Sequence, residues 1–301
     1  MTDAAGVIGA GLVRGRGRAV RAAMRAGLNA GWIELSHCFT MVADAFEILP
    51  IPLLSVVILL VVDAKHVHVP GTHFLIGSTL LAGMLILNVS VNGMAGMALN
   101  LTVARDDGTL LRAKATPNGI LGLLTGKIVV ISGTVMLTVV CLLMVGLAPF
   151  SGLALGRAVT WLTLAWVLAL GLLAMLSVGA VLGSLFPSAR SGNVMMIGIF
   201  GLMGISGVYT PITQLPVWLQ WTGQAFPLYW LGLGVRSALL PGNLAAVEIG
   251  HSWRHLATAG VLAVWAIAGL VVAPVLLRRA ARRVSGSSVA ARRERAMTRA
   301  I

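Results

Sequence analysis

Few residues in this chain have the types and spacing that chemistry demands. Gly-Ile-Ser-Gly at Gly204–Gly207 has the form of an intramembrane serine nucleophile, with His251 and His255 downstream. A serine attacks a carbonyl only when a base lies within hydrogen-bond reach. His255 falls at the edge of an apolar run, and "HLATAG" lacks the close glycine spacing of a partner helix. Small residues in such a run let helices pack closely, so Ser206 reads as structural, with an intramembrane serine protease as the alternative. "GLLTGKI" at Gly122–Ile128 resembles a phosphate loop superficially. That loop needs four residues between its glycines and a Ser or Thr after the lysine. Here the glycine spacing is one short and Ile128 follows Lys127, so Lys127 reads as a lysine snorkelling from a span. His66, His68 and His73 could share a metal, but as a loose loop trio they read as ordinary exposed histidines. Asp44 and Glu47 lie three apart and share a helix face. No deep carboxylate or histidine continues a proton relay from them, so they read as interfacial carboxylates that meet basic residues.

The remaining polar concentration is "ARDDGTLLRAKATPNG", Ala104 to Gly119, between two long apolar runs. Asp106 or Asp107 can cap a short helix, because an aspartate accepts from the first free backbone N–H groups. Gly108 eases the turn before it. Leu110 and Leu111 give that helix an apolar edge, predicted to face the cytosol. Arg112 and Lys114 put charge near its end. Pro117 disfavours helix at Thr116 and so ends the element, and Asn118 can cap the next one. A solvated loop would explain the arginines, but neither the paired aspartates nor the paired leucines. A docking helix explains all three.

The elements that position these residues are membrane spans. Apolar residues make up 58% of the 301-residue chain and mean hydropathy is +0.94. A bilayer core about 30 Å thick needs about 20 apolar helical residues. Six spans are predicted: Ala45–Val62, Phe74–Leu99, Ile120–Leu147, Ala158–Phe186, Val194–Tyr209 and His255–Leu277. The fold is therefore all-α and integral to the membrane. Residues 1–40 form a basic arm with an interfacial helix, 41–277 the six-span domain and 278–301 a basic tail.

Charge sets the orientation. The net charge of +13 does not point to nucleic acid, because the arginines crowd the ends of the chain. Arg14, Arg16, Arg18, Arg21 and Arg25 precede the first span. Arg278, Arg279, Arg282, Arg283, Arg292, Arg293, Arg295 and Arg299 follow the last. With Arg105, Arg112 and Lys114 on the same side, the positive-inside rule places both termini in the cytoplasm, near anionic headgroups. Ala19–Met41, with Leu28, Trp32, Ile33 and Leu35 as its apolar side, is predicted to lie flat on the membrane. Cys38 and Cys141 suggest neither a disulfide framework nor a metal pair. Lysine is rare beside arginine, a bias of GC-rich bacterial genomes, and the predicted location is a bacterial cytoplasmic membrane.

Between the fifth and sixth spans, "SGVYTPITQLPVWLQWTGQAFPLYWLGLGVRSALLPG" is too apolar for a solvated loop. Pro211, Pro216 and Pro227 break it too often for one span. Trp218, Trp221, Tyr229 and Trp230 are headgroup-level residue types. Short helices that dip into the outer leaflet satisfy both constraints, provided protein shields the backbone.

Two of these stretches together resemble a known family, the membrane subunits of type-2 ABC exporters, which include drug-resistance permeases. "ARDDGTLLRAKATP" is similar to the family's segment between spans two and three. The segment from Ser206 to Leu239 is similar to its C-terminal signature, with Pro211, Leu215, Pro216, Trp218, Pro227 and Arg236 at the matching places. The resemblance covers roughly Ala30 to Leu277. It implies an interfacial helix, six spans and a re-entrant external hairpin. It also implies a coupling helix carrying Arg105, Asp106, Asp107, Gly108, Thr109, Leu110, Leu111 and Arg112. It implies a homo- or heterodimer of permeases with separate ATPase subunits that bind ATP and Mg. This chain would then hold no cofactor and catalyse nothing alone. It would form the efflux path for a drug, a lipid, a polysaccharide precursor or another amphiphile, in the manner of antibiotic-resistance exporters. The long arginine-rich N-terminal arm departs from the family pattern.

Overall fold

The computed structural model describes residues 3–40, 76–146, 156–186, 189–208 and 212–282, together with Leu54, Val57, Ile58 and Val61. The rest of the predicted first span, the loop carrying His66, His68 and His73, and Asp44, Glu47 and Pro211 lie outside the described residues.

Every described element is helical. α1 is Asp3–Thr40. α2 (Ile76–Ser90) continues through a π-helical turn, Val91–Gly96, into α3 (Met97–Asp106). The short α4 (Thr109–Ala115) leads to α5 (Gly119–Gly146) and α6 (Ala158–Leu185). α7 is Ala189–Ile205, α8 Val217–Ala225, α9 Pro227–Leu239 and α10 His255–Arg282. Among the described residues, four stretches are long and apolar enough to cross a bilayer: Thr79–Asp106, Gly119–Met144, Ala158–Leu185 and His255–Ala281. At 1.5 Å per residue each exceeds 30 Å. Leu162, Ile197, Leu256 and Ile267 project outward. Outward-facing leucines and isoleucines on such helices suit lipid rather than water.

α6 lies at the centre, and its small residues explain why. A Cβ at Gly179 would collide with the Met94 carbonyl of the π-helical turn, and one at Gly183 would lie 2.8 Å from the Ala98 Cα. Glycine here lets two backbones touch, the packing that replaces the hydrophobic effect inside lipid. On another face Ser177 donates to the Ala266 carbonyl of α10 at 3.2 Å, opposite Gly269. On a third, Gly171 receives Leu231 of α9. The contact register shows that α2–α3 and α6 run in the same direction.

α1 departs from the expected surface helix. Gly27 and Gly31 face Gly122 and Gly126 of α5 with no room for a Cβ, and Leu35 covers Gly133. The helix is bound to α5 by a small-residue seam rather than lying apart from the bundle. Met24, Leu28, Trp32 and Ile33 remain exposed on its other side, Trp32 by 67%. The expected apolar side thus divides, with Leu35 inside and the rest outside. α7 ends at Ile205, short of the predicted Tyr209. Gly207 adopts φ 70° there, a left-handed turn that stops the helix.

Candidate functional site

The polar segment between α3 and α5 forms a tight elbow. Gly108 has φ 83°, which reverses the chain and starts α4. The Asp107 carboxylate accepts the Thr109 backbone N–H at 2.7 Å from the position before Gly108, which is itself the N-cap and has no capping side chain. Thr116 is extended before Pro117, and α4 ends there. Asn118 takes φ 57°, and its backbone carbonyl accepts from Leu121 and Gly122 at the start of α5. Its side chain makes no cap.

Two expectations about this segment are corrected. Leu110 is only 1% exposed and belongs to the chain's own apolar core. The turn at Gly108 folds α4 back over α5, which sends Leu110 inward and leaves Leu111 half-buried beside it. Arg105 is also inside, at 2% exposure. Its Nη2 donates to the carbonyls of Gly183 at 3.2 Å and Ser184 at 3.4 Å. These are among the last carbonyls of α6, which have no partner within the helix and carry its negative dipole end. A guanidinium supplies both the hydrogen bonds and the opposite charge. Lys114 repeats the arrangement at the next span, where its Nζ donates to the Ala281 carbonyl near the end of α10 at 3.3 Å. The elbow is therefore tied to the ends of two spans by two cations. Asp107, Arg112 and Lys114 stay on its exposed side, and Asp106 and Thr109 are half-buried.

Beside the elbow, a groove of about 1010 Å³ runs between α1, α4 and α5. Alanines and glycines of α1 form one wall, and Thr109, Arg112 and Pro117 lie on the other. Lys127 and Glu34 also line it and pair at 2.6 Å. The lysine of the false phosphate loop thus joins α5 to α1, a partner that the sequence spacing concealed.

At the opposite end of the bundle, α8 and α9 form a helical hairpin around Phe226. Pro216 precedes α8, and Pro227 occupies the first turn of α9, where its missing N–H costs nothing. The hairpin tip sits beside α10: Trp265 Nε1 donates to the Ala225 carbonyl at 3.1 Å, and its ring stacks on Phe226. α9 is buried along most of its length, whereas Trp218 and Trp221 of α8 are exposed. Leu215 is half-buried, and its carbonyl accepts from Gln220.

Arg236 leaves the end of α9 for two partners. Its Nε donates to Glu248 at 2.7 Å, and its Nη1 to the Gly207 carbonyl at 3.1 Å. The pair is largely buried, with 14% and 7% of the side chains exposed. Arg254 adds a second tie, bonding Gln224 at 3.0 Å and lying 4.7 Å from the centre of the Trp230 ring. Sequence reasoning found Arg236 but neither Glu248 nor Arg254. One signal was present: a lone glutamate in a chain with only nine acidic residues.

Ser206 is fully buried and its hydroxyl donates to the Leu202 carbonyl. Among the described residues, the Nδ1 of His251 meets the Ala246 carbonyl, and the His255 ring stands edge-on to Trp166. Neither histidine is hydrogen-bonded to Ser206.

An apolar cavity of about 380 Å³ lies between the π-helical turn, α6, α7 and the hairpin tip, lined by Met94, Leu182, Met195, Leu202, Phe226 and others. The π-helical turn was invisible in the sequence, although such turns recur at functional sites.

The family model for ABC-2 family transporter proteins matches residues 72–270. No curated protein matches the chain. The chain belongs to the ABC-2 transporter family. It is a multi-pass membrane protein and the membrane permease of an ABC transporter.

Proposed function

We propose that this ABC-2 permease is the path-forming half of an ATP-driven exporter and that the elbow at Asp107–Ala115 receives motion from a separate ATPase. The observation that supports this reading is the double tie of Arg105 to the end of α6 and Lys114 to the end of α10. A helix free in solvent would move alone. α4, bonded to α10 through Lys114 and continuous with α3, whose Arg105 grips the end of α6, moves those spans with it. ATP and Mg bind on the partner, and this chain contributes no phosphate loop. A second permease copy or a homologue completes the path.

In this reading the elbow is cytoplasmic, six spans cross a bacterial cytoplasmic membrane, and both termini are inside. The hairpin is the external re-entrant element, and the Arg236–Glu248 pair holds it shut on the end of α7. The apolar cavity between α6, α7 and the hairpin tip suits a drug or another amphiphile with few polar groups. The experiment is co-purification of a co-expressed ABC ATPase with the chain. Arg112→Glu on the exposed side of α4 should reduce capture without lowering chain abundance. Undiminished capture by that variant, and by Asp107→Lys, would place the contact elsewhere.

A further inference from the structure

The elbow carries a second cavity, distinct from the groove beside α1. It measures about 390 Å³, and Lys114, Thr116, Asn118, Gly119 and Arg278 line it. Among the described residues its lining has two cations and no carboxylate. Lys114 is held in place because its ammonium bonds the Ala281 carbonyl. That bond also offsets the negative dipole end of α10. α5 starts at Gly119, whose N–H bonds the Thr116 carbonyl while those of Leu121 and Gly122 bond Asn118, so this helix end adds its dipole to the cavity rather than a set of free donors. Asn118, at φ 57°, uses its carbonyl on Leu121 and Gly122 and turns the chain around the cavity. Two full charges and a helix N-terminus converge on one anion-sized volume.

Depth identifies the anion. Gly119 begins one span and Arg278 lies near the end of another. Apolar helices of this length reach from one headgroup layer to the other, so an anion held between these two helix ends is read as a lipid phosphate. We infer that it binds the phosphate of an anionic glycerophospholipid in the leaflet at the α4 end. The bound headgroup bridges the α4–α5 turn to α10. This binding stands whether or not α4 meets an ATPase.

The test uses the full chain in phosphatidylcholine nanodiscs with spin-labelled phosphatidylglycerol or spin-labelled phosphatidylcholine as the probe. Electron paramagnetic resonance reads the motionally restricted fraction of each. The wild type should select phosphatidylglycerol. Lys114→Gln with Arg278→Gln should reduce that selectivity by on the order of tenfold, from two basic contacts at an anionic surface. Arg279→Gln, outside the cavity, should change it little. Lys114→Arg with Arg278→Lys keeps both charges and should retain selectivity, which separates charge from folding. Unchanged selectivity in the double Gln variant would overturn the inference. So would displacement of the label by inorganic phosphate, which would make this a site for a soluble phosphoryl group. So would normal selectivity with lost ATPase capture, which would assign the cations to a partner's carboxylates.

Discussion

Arg105 shows how one side chain can organise several elements. Its guanidinium ends α6 and anchors the end of α3 in a single contact. A hydrogen bond to a charged group contributes about 1.5–3 kcal/mol, and burying it unpartnered costs a similar amount. Arg105→Met should therefore lower the melting temperature and the abundance of the detergent-solubilised chain, with Arg105→Lys intermediate. An Arg105→Met chain that melts like the wild type would show that the α6 carbonyls find other partners. Ser206→Ala should behave differently. It removes a hydroxyl bonded to the Leu202 carbonyl of the preceding α7, so stability should fall by no more than about 1 kcal/mol and transport should persist. Complete loss of activity at normal abundance, with labelling of the wild type by a serine-reactive probe, would revive the protease reading. Residue types were legible here, but side-chain directions were not. Arg105 and Leu110 sit in a charged stretch and read as surface. The left-handed turn at Gly108 sends Leu110 inward, and the packing of α3 on α6 sends Arg105 inward.

At the level of elements, the hairpin and its clasp make the sharpest prediction. Glu248→Gln leaves Arg236 buried opposite a neutral amide, and breaking a buried pair costs about 3–5 kcal/mol. Arg236→Met with Glu248→Leu removes both charges and should cost less than Glu248→Gln or Arg236→Met alone. Thermal melting of the three variants checks this, and equal losses in all three would mean that the pair is not coupled. The two short helices α8 and α9 were legible because Pro216, Pro227 and four aromatic residues contradict both a loop and a span. The clasp was not, because Glu248 lies twelve residues from Arg236 and no period relates them. The α1–α5 seam had a readable signal, glycines four apart at Gly27 and Gly31 and again at Gly122 and Gly126. The sequence reading weighed the arginines and the apolar side chains of α1 instead. The π-helical turn has no composition of its own, since Val91–Gly96 reads as ordinary span.

For the whole molecule, hydropathy fixed the class early. The long apolar runs align with the four described spans to within a few residues at most ends, although the second extends to Asp106 rather than Leu99. Orientation, subunit count and substrate are properties of the assembly, and no intrachain pattern encodes them beyond the arginine bias. The division of labour has its own check. The purified chain without a partner should hydrolyse no ATP, and Lys127 should matter only through its pair with Glu34. ATPase activity of the lone chain that disappears with Lys127→Ala would contradict the separate-motor account.

The central claim is that motion enters through the exposed side of α4 and reaches the spans through Arg105 and Lys114. The most direct measurement is ATP-dependent accumulation of a fluorescent amphiphile in proteoliposomes holding the chain and its ATPase, wild type against Arg112→Glu. The account predicts that the variant inserts, melts close to the wild type, loses its ATPase on purification and accumulates nothing above the ATP-free baseline. Wild-type accumulation with a full complement of bound ATPase would contradict it.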